Sequence, residues 1–69
     1  MRTFAKYKQN LSIIRWDGKD WIQSYTTRVA LIDYEERTAE LQGYWSMTTS
    51  KHINYACEQL GLTQIKKGE

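Results

Sequence analysis

Sixty-nine residues with 41% hydrophobic content and nine aromatics can build one domain at most, near the lower limit at which a single core suffices, and this composition excludes a disordered chain. A net charge of +2 is too small to identify a polyanionic partner by itself, one cysteine cannot form an internal disulfide, and no apolar run approaches the roughly 20 residues a membrane-spanning helix needs. The charge is nevertheless uneven: residues 1–31 carry six basic and two acidic side chains (+4), and residues 32–60 carry two basic and five acidic ones (−3).

The opening segment, MRTFAKYKQN, is basic and lacks the apolar centre of a signal peptide, so a reducing cytosolic setting is the expectation. Residues 1–10 read as an N-terminal arm or edge strand. In LSIIRWDGKDWIQSY the pair Asp17-Gly18 suits a two-residue type I′ turn, whose central positions both need positive φ. That turn places Trp16 opposite Lys19, Arg15 opposite Asp20, Ile14 opposite Trp21 and Ile13 opposite Ile22, matching charge with charge and apolar with apolar. A second hairpin follows, with TTRVALID returning through TAELQGYW after the polar loop YEER. It pairs Ile32 with Ala39, Ala30 with Leu41 and Thr26 with Trp45.

Strand parity puts Leu11, Ile13, Ile22, Ala30, Ile32, Leu41 and Trp45 on one face, the expected core. A strand unbroken from Asp20 to Asp33 is too long, so a bend or bulge is expected near Ser24 to Thr27, able to reverse parity beyond it. The stretch WSMTTSKHIN then leads into a helix over 49–60, with Thr48, Thr49 or Ser50 as N-cap and Gly61 as C-terminal stop. Ile53, Ala56, Cys57 and Leu60 recur at helical spacing and form the stripe that closes over the sheet. Residues 61–69 form a tail that packs through Leu62 and Ile65. The expected fold is therefore α+β: a four-stranded antiparallel sheet of two consecutive hairpins over residues 11–46, with one C-terminal helix on one face.

Little in this chain supports catalysis. His52 is the one conventional base near neutral pH, and Cys57 lies five residues on, about 500° around the helix at ~100° per residue, pointing elsewhere. Hydroxyl residues at a helix start are most often caps, no glycine-rich phosphate loop is present, and one Cys with one His makes no zinc site within a single chain. No enzyme, metal or cofactor is expected.

Two binding readings remain. Free amides at the helix start, with Thr48, Thr49, Ser50, Lys51 and His52, form a candidate anion grip; with Arg15, Lys19 and the basic arm they form a candidate nucleic-acid interface. The other sheet face is more informative. Ile14, Trp21, Tyr25, Val29, Leu31 and Tyr44 fall on it, too much apolar surface for the wet side of a sheet. One helix cannot cover both faces, so Phe4 and Tyr7 of the arm, a second copy in a homodimer, or a foreign protein must cover this one. The acidic loop Asp33, Glu35, Glu36 with Glu40 reads as a solvated hairpin end.

The segments SYTTRVALID and GYWSMTTSKHINYACEQLGL resemble a group of small uncharacterised proteins encoded mostly by bacteriophages, cyanophages included, with S-Y-x-T-x-V-A followed by W-S-x-T-T-S-K-H-I-N before a short helix. The likeness spans roughly residues 24 to 62 and rests on Trp45, Ser46 and Thr48 through Asn54. It implies a phage accessory protein in the cytoplasm of an infected bacterium, of the kind that binds and redirects or inhibits a host macromolecule.

Overall fold

In the computed structural model, which describes residues 2–43 and 45–66, the turn at Asp17-Gly18 sets the register from which the sheet grows. Both residues have positive φ, 54° and 73°, as a type I′ turn requires. They join β2 (Leu11–Trp16) to β3 (Lys19–Ser24) with Ile13 opposite Ile22, Ile14 opposite Trp21, Arg15 opposite Asp20 and Trp16 opposite Lys19. An Arg15–Asp20 ion pair of 3.2 Å closes the tip.

β3 ends at a second tight turn, Tyr25-Thr26, and returns as β4 (Thr27–Asp33). The expected irregularity between Ser24 and Thr27 is thus a full reversal, with Tyr25 at φ 56°. A bulge follows: Ile22 pairs with Ala30 while Gln23 pairs with Arg28, leaving Val29 as the extra residue. Two consecutive residues, Val29 and Ala30, therefore both point into the core. The next loop, residues 34–37, is capped by Asp33, whose Oδ1 accepts from the amides of Glu35 and Glu36. β5 (Thr38–Leu41) then pairs Ala39 with Ile32 and Leu41 with Ala30. β5 stops at Leu41, so the expected Thr26–Trp45 pair does not form.

The helix α1 (Met47–Leu60) begins two residues before the expected start, because Ser46 rather than Thr48, Thr49 or Ser50 is its N-cap. Ser46 has extended backbone, and its Oγ accepts from the Thr49 amide at 3.3 Å. At the other end Gly61 adopts φ 69°, and the Leu62 amide reaches back to the Cys57 carbonyl at 2.9 Å, as in a Schellman cap. Residues 63–66 are not a loose tail: Thr63–Lys66 forms β6, parallel to β5, so α1 is the crossover of a β-α-β unit. Arg2–Thr3 forms a short β1 on β2.

Among the described residues the fold is α+β with one helix and one mixed sheet. The order is β1-β2-β3-β4-β5-β6, five strands of four or more residues and a two-residue edge strand. The expected four-stranded antiparallel sheet is enlarged because residues at both ends of the chain pair with its edges. The core forms between sheet and helix from Phe4, Leu11, Ile13, Ile22, Val29, Ala30, Ile32, Ala39, Ile53, Ala56 and Cys57. Leu41, Trp45, Leu60 and Leu62 pack at its margin. No helix among the described residues is long and apolar enough to cross a membrane.

Candidate functional site

Phe4 and Tyr7 lie on the helix side of the sheet. The Phe4 ring meets Tyr55 edge-on at 5.8 Å, and Tyr7 meets Tyr55 at 5.5 Å and His52 at 4.6 Å. Lys6 Nζ stands 5.1 Å from the Tyr7 ring centre, closing the cluster with a cation on its rim. Tyr7 reaches this place by adopting φ 59°, and its carbonyl accepts from the amides of Asn10 and Leu11. The arm therefore belongs to the core side, and the other sheet face receives neither the arm nor the helix.

His52 sits in the middle of that cluster, only 2% exposed, with Nδ1 hydrogen-bonded to Ser24 Oγ at 2.8 Å. Burial pushes its pKa below the ordinary value of 6.5, so the neutral imidazole is favoured. A serine bonded to an imidazole has the first two members of a nucleophilic triad, but Ser24 is also 2% exposed and sealed against the ring, away from any substrate outside. The pair ties β3 to α1 across the interior. This corrects the assignment of His52 to an anion grip, because a group sealed on the core side cannot reach a phosphate outside. Thr49 is likewise buried, and its amide is already spent on Ser46. Thr48 and Lys51 are exposed and Ser50 is half-buried, so the first turn does not bring the five residues together around one point. Cys57 is buried, and burial raises its thiol pKa to about 11.

On the outer face the pairing registers place Ile14, Trp21, Leu31, Glu40 and Ile65 in one row across β2 to β6. At the ~4.8 Å spacing of strands this row spans about 19 Å. Ile14, Trp21 and Leu31 are each half-buried. Trp16 adds to them: it is 49% exposed, meets Trp21 edge-on at 6.0 Å, and its carbonyl accepts from Trp21 Nε1 at 3.1 Å. Arg28 lies over the Trp16 ring, with Cζ 4.0 Å from its centre.

Three residues expected on this face are not described there. Val29 is 1% exposed in the core because the bulge turns it inward. Tyr25 is exposed, but it occupies the turn and its ring tilts against His52 at 5.6 Å, at the helix side. Tyr44 lies outside the described residues. Arg15 and Lys19 are exposed at the hairpin tip, with Arg15 held by Asp20 and the Gly18 carbonyl. The residues that pattern reading missed are Ser24 and Arg28. Only the parity of Ser24 with Ile22 signalled its inward side chain. Among the described residues no group of three or more His, Cys, Asp or Glu is close enough to hold a metal ion.

Residues 2–69 match DUF8033, a family of unknown function, and the chain belongs to that family. No curated protein and no solved structure matches it.

Proposed function

We propose that the chain is a non-enzymatic interaction module of the small phage-encoded type. In the cytoplasm of an infected bacterium it binds a host protein through the outer face of its sheet, and by occupying that protein inhibits or redirects it. One observation carries this reading: both elements able to cover a sheet face, α1 and the Phe4–Tyr7 arm, pack on the same side. Ile14, Trp21, Leu31 and the half-exposed Trp16 are left as an apolar row on the other. A contiguous apolar patch edged by charge is the usual mark of a docking surface. The resemblance of residues 24–62 to phage proteins supplies the setting.

Nucleic-acid binding through Thr48–His52 and the basic N-terminal half has less support, since His52 and Thr49 are buried and Arg15 is paired.

The test is affinity capture from bacterial lysate, with and without nuclease, using the wild-type chain, Trp21→Ala and Leu31→Glu. Both variants are checked for native secondary structure by circular dichroism. The expected result is a nuclease-resistant partner retained by the wild type and lost by both folded variants. A partner retained equally by all three, one released by nuclease, or no partner at all overturns the proposal.

A further inference from the structure

We infer that the cleft beside Trp16, Trp21 and Arg28 is the specificity element of this face, and that it takes a carboxylate presented next to an apolar side chain by the docked protein. The inference rests on the docking reading above and names the chemistry of its partner. The cleft has a volume of about 390 Å³ and is lined by Trp16, Trp21, Thr26, Thr27, Arg28 and Gln42. Two indoles line it, and Trp21 Nε1 is already spent on the Trp16 carbonyl, so the Trp21 ring offers apolar surface.

The charge in this cleft is uncompensated. Arg28 Cζ lies 4.0 Å from the Trp16 ring centre and 5.8 Å from that of Trp21, and among the described residues no carboxylate or carbonyl accepts from its guanidinium. Arg15, by contrast, has Asp20. Among the described residues no carboxylate lines the cleft; Glu40 stands outside the lining and accepts from Gln42 Nε2 at 3.3 Å. A guanidinium 4.0 Å from an indole ring, with no acceptor among the described residues on its N–H fork, suits a planar two-oxygen acceptor. The Thr26 and Thr27 hydroxyls add donors at the same rim. A polyanion fits poorly, because Lys19 and Arg28 share the outer face with Asp33 and Glu40, which leaves no basic track for successive phosphates.

The experiment titrates the isotope-labelled full chain with the peptides Ac-Phe-Asp-Leu-NH2 and Ac-Phe-Asn-Leu-NH2, following the Arg28 Nε–H and the indole N–H resonances of Trp16 and Trp21. The expected result is weak binding that shifts all three signals and prefers the aspartate peptide by about ten-fold, the preference vanishing in Arg28→Gln and falling in Arg28→Lys. Equal binding of the two peptides, shifts elsewhere only, or no shift overturns the inference. So does a stronger response to inorganic phosphate than to acetate, or light scattering that shows self-association through these residues. Capture of the lysate partner separates the two proposals: a partner kept by Arg28→Gln but lost by Trp21→Ala preserves the docking surface and removes the carboxylate.

Discussion

Replacing Ser24 by alanine tests the buried link between sheet and helix. Ser24 and His52 are each 2% exposed, and their hydrogen bond of 2.8 Å joins positions 28 residues apart. Rings of Tyr7 and Tyr25, at 4.6 and 5.6 Å from the imidazole, flank the site. Removing Oγ leaves Nδ1 buried without its partner, a loss of about 1–3 kcal/mol. For a chain of this length, total stability is roughly 3–10 kcal/mol at ~0.05–0.15 kcal/mol per residue, so the change is a large share of it. Tm should fall by about 4–8 °C for each kcal/mol. Urea denaturation of Ser24→Ala, His52→Leu and the double variant measures the coupling directly. Removing both polar partners avoids the orphaned atom, so the double variant should be more stable than the sum of single losses predicts, by about 1–2 kcal/mol. Strict additivity, or a Ser24→Ala cost below about 0.5 kcal/mol, would refute the reasoning.

The same imidazole gives a pH dependence. Because burial lowers the folded pKa of His52 beneath 6.5, the unfolded chain takes up a proton first as pH falls. The contribution of His52 is then fully present above pH 6.5 and is lost progressively below it, until the folded-state pKa is passed. The gap between wild-type and His52→Leu denaturation midpoints should therefore narrow from pH 7.5 to pH 5; a constant gap contradicts the assignment. Gly18→Ala meets nothing within 4 Å, so its cost is backbone strain at φ 73° alone, about 1–2 kcal/mol, read as a lower thermal midpoint with unchanged far-ultraviolet signal. With its thiol pKa raised to about 11, Cys57 should react with a disulfide reagent at pH 8 only as fast as the protein opens, and rapidly in denaturant. Ile53→Ala empties a position 1% exposed and should cost about 2–5 kcal/mol, enough to populate the unfolded state measurably.

The hairpins and the helix stripe were legible because local chemistry and periodicity agree there. Asp17-Gly18 demands one turn type, which fixes every pair from Leu11–Ser24 to Trp16–Lys19, and the stripe Ile53, Ala56, Cys57, Leu60 admits one face. The sixth strand was not legible. TQIK is short and polar, and becomes β6 only because α1 delivers it beside β5, where the Thr63 amide bonds the Arg37 carbonyl at 2.8 Å. Arg2–Thr3, by contrast, is the edge strand that residues 1–10 offered beside an arm, and it borrows order from β2. The N-cap was displaced for a similar reason: four hydroxyl residues, Ser46, Thr48, Thr49 and Ser50, compete for one role, and the one with extended backbone takes it.

The outer face shows a deeper limit of ladder reasoning. Pairing rules compare residues on adjacent strands, and by those rules Ile14, Trp21 and Leu31 are correctly placed in one row. Arg28 and Trp16 are on strands that do not pair, with β3 between them, yet the indole reaches across Trp21 to carry the guanidinium. Such a contact depends on side-chain length and on the sheet's twist, and neither is written in strand parity. The bulge acts on the same face from the other direction. By inserting one residue between Arg28 and Ala30 it sends Val29 into the core while Arg28 stays outside. Without the bulge, strict alternation along the same sequence would set Val29 opposite Gln23 on the outer face and turn Arg28 from the indole pair toward the interior. The bulge is therefore what lets one short strand supply both a buried valine and an arginine that stays on the outer face.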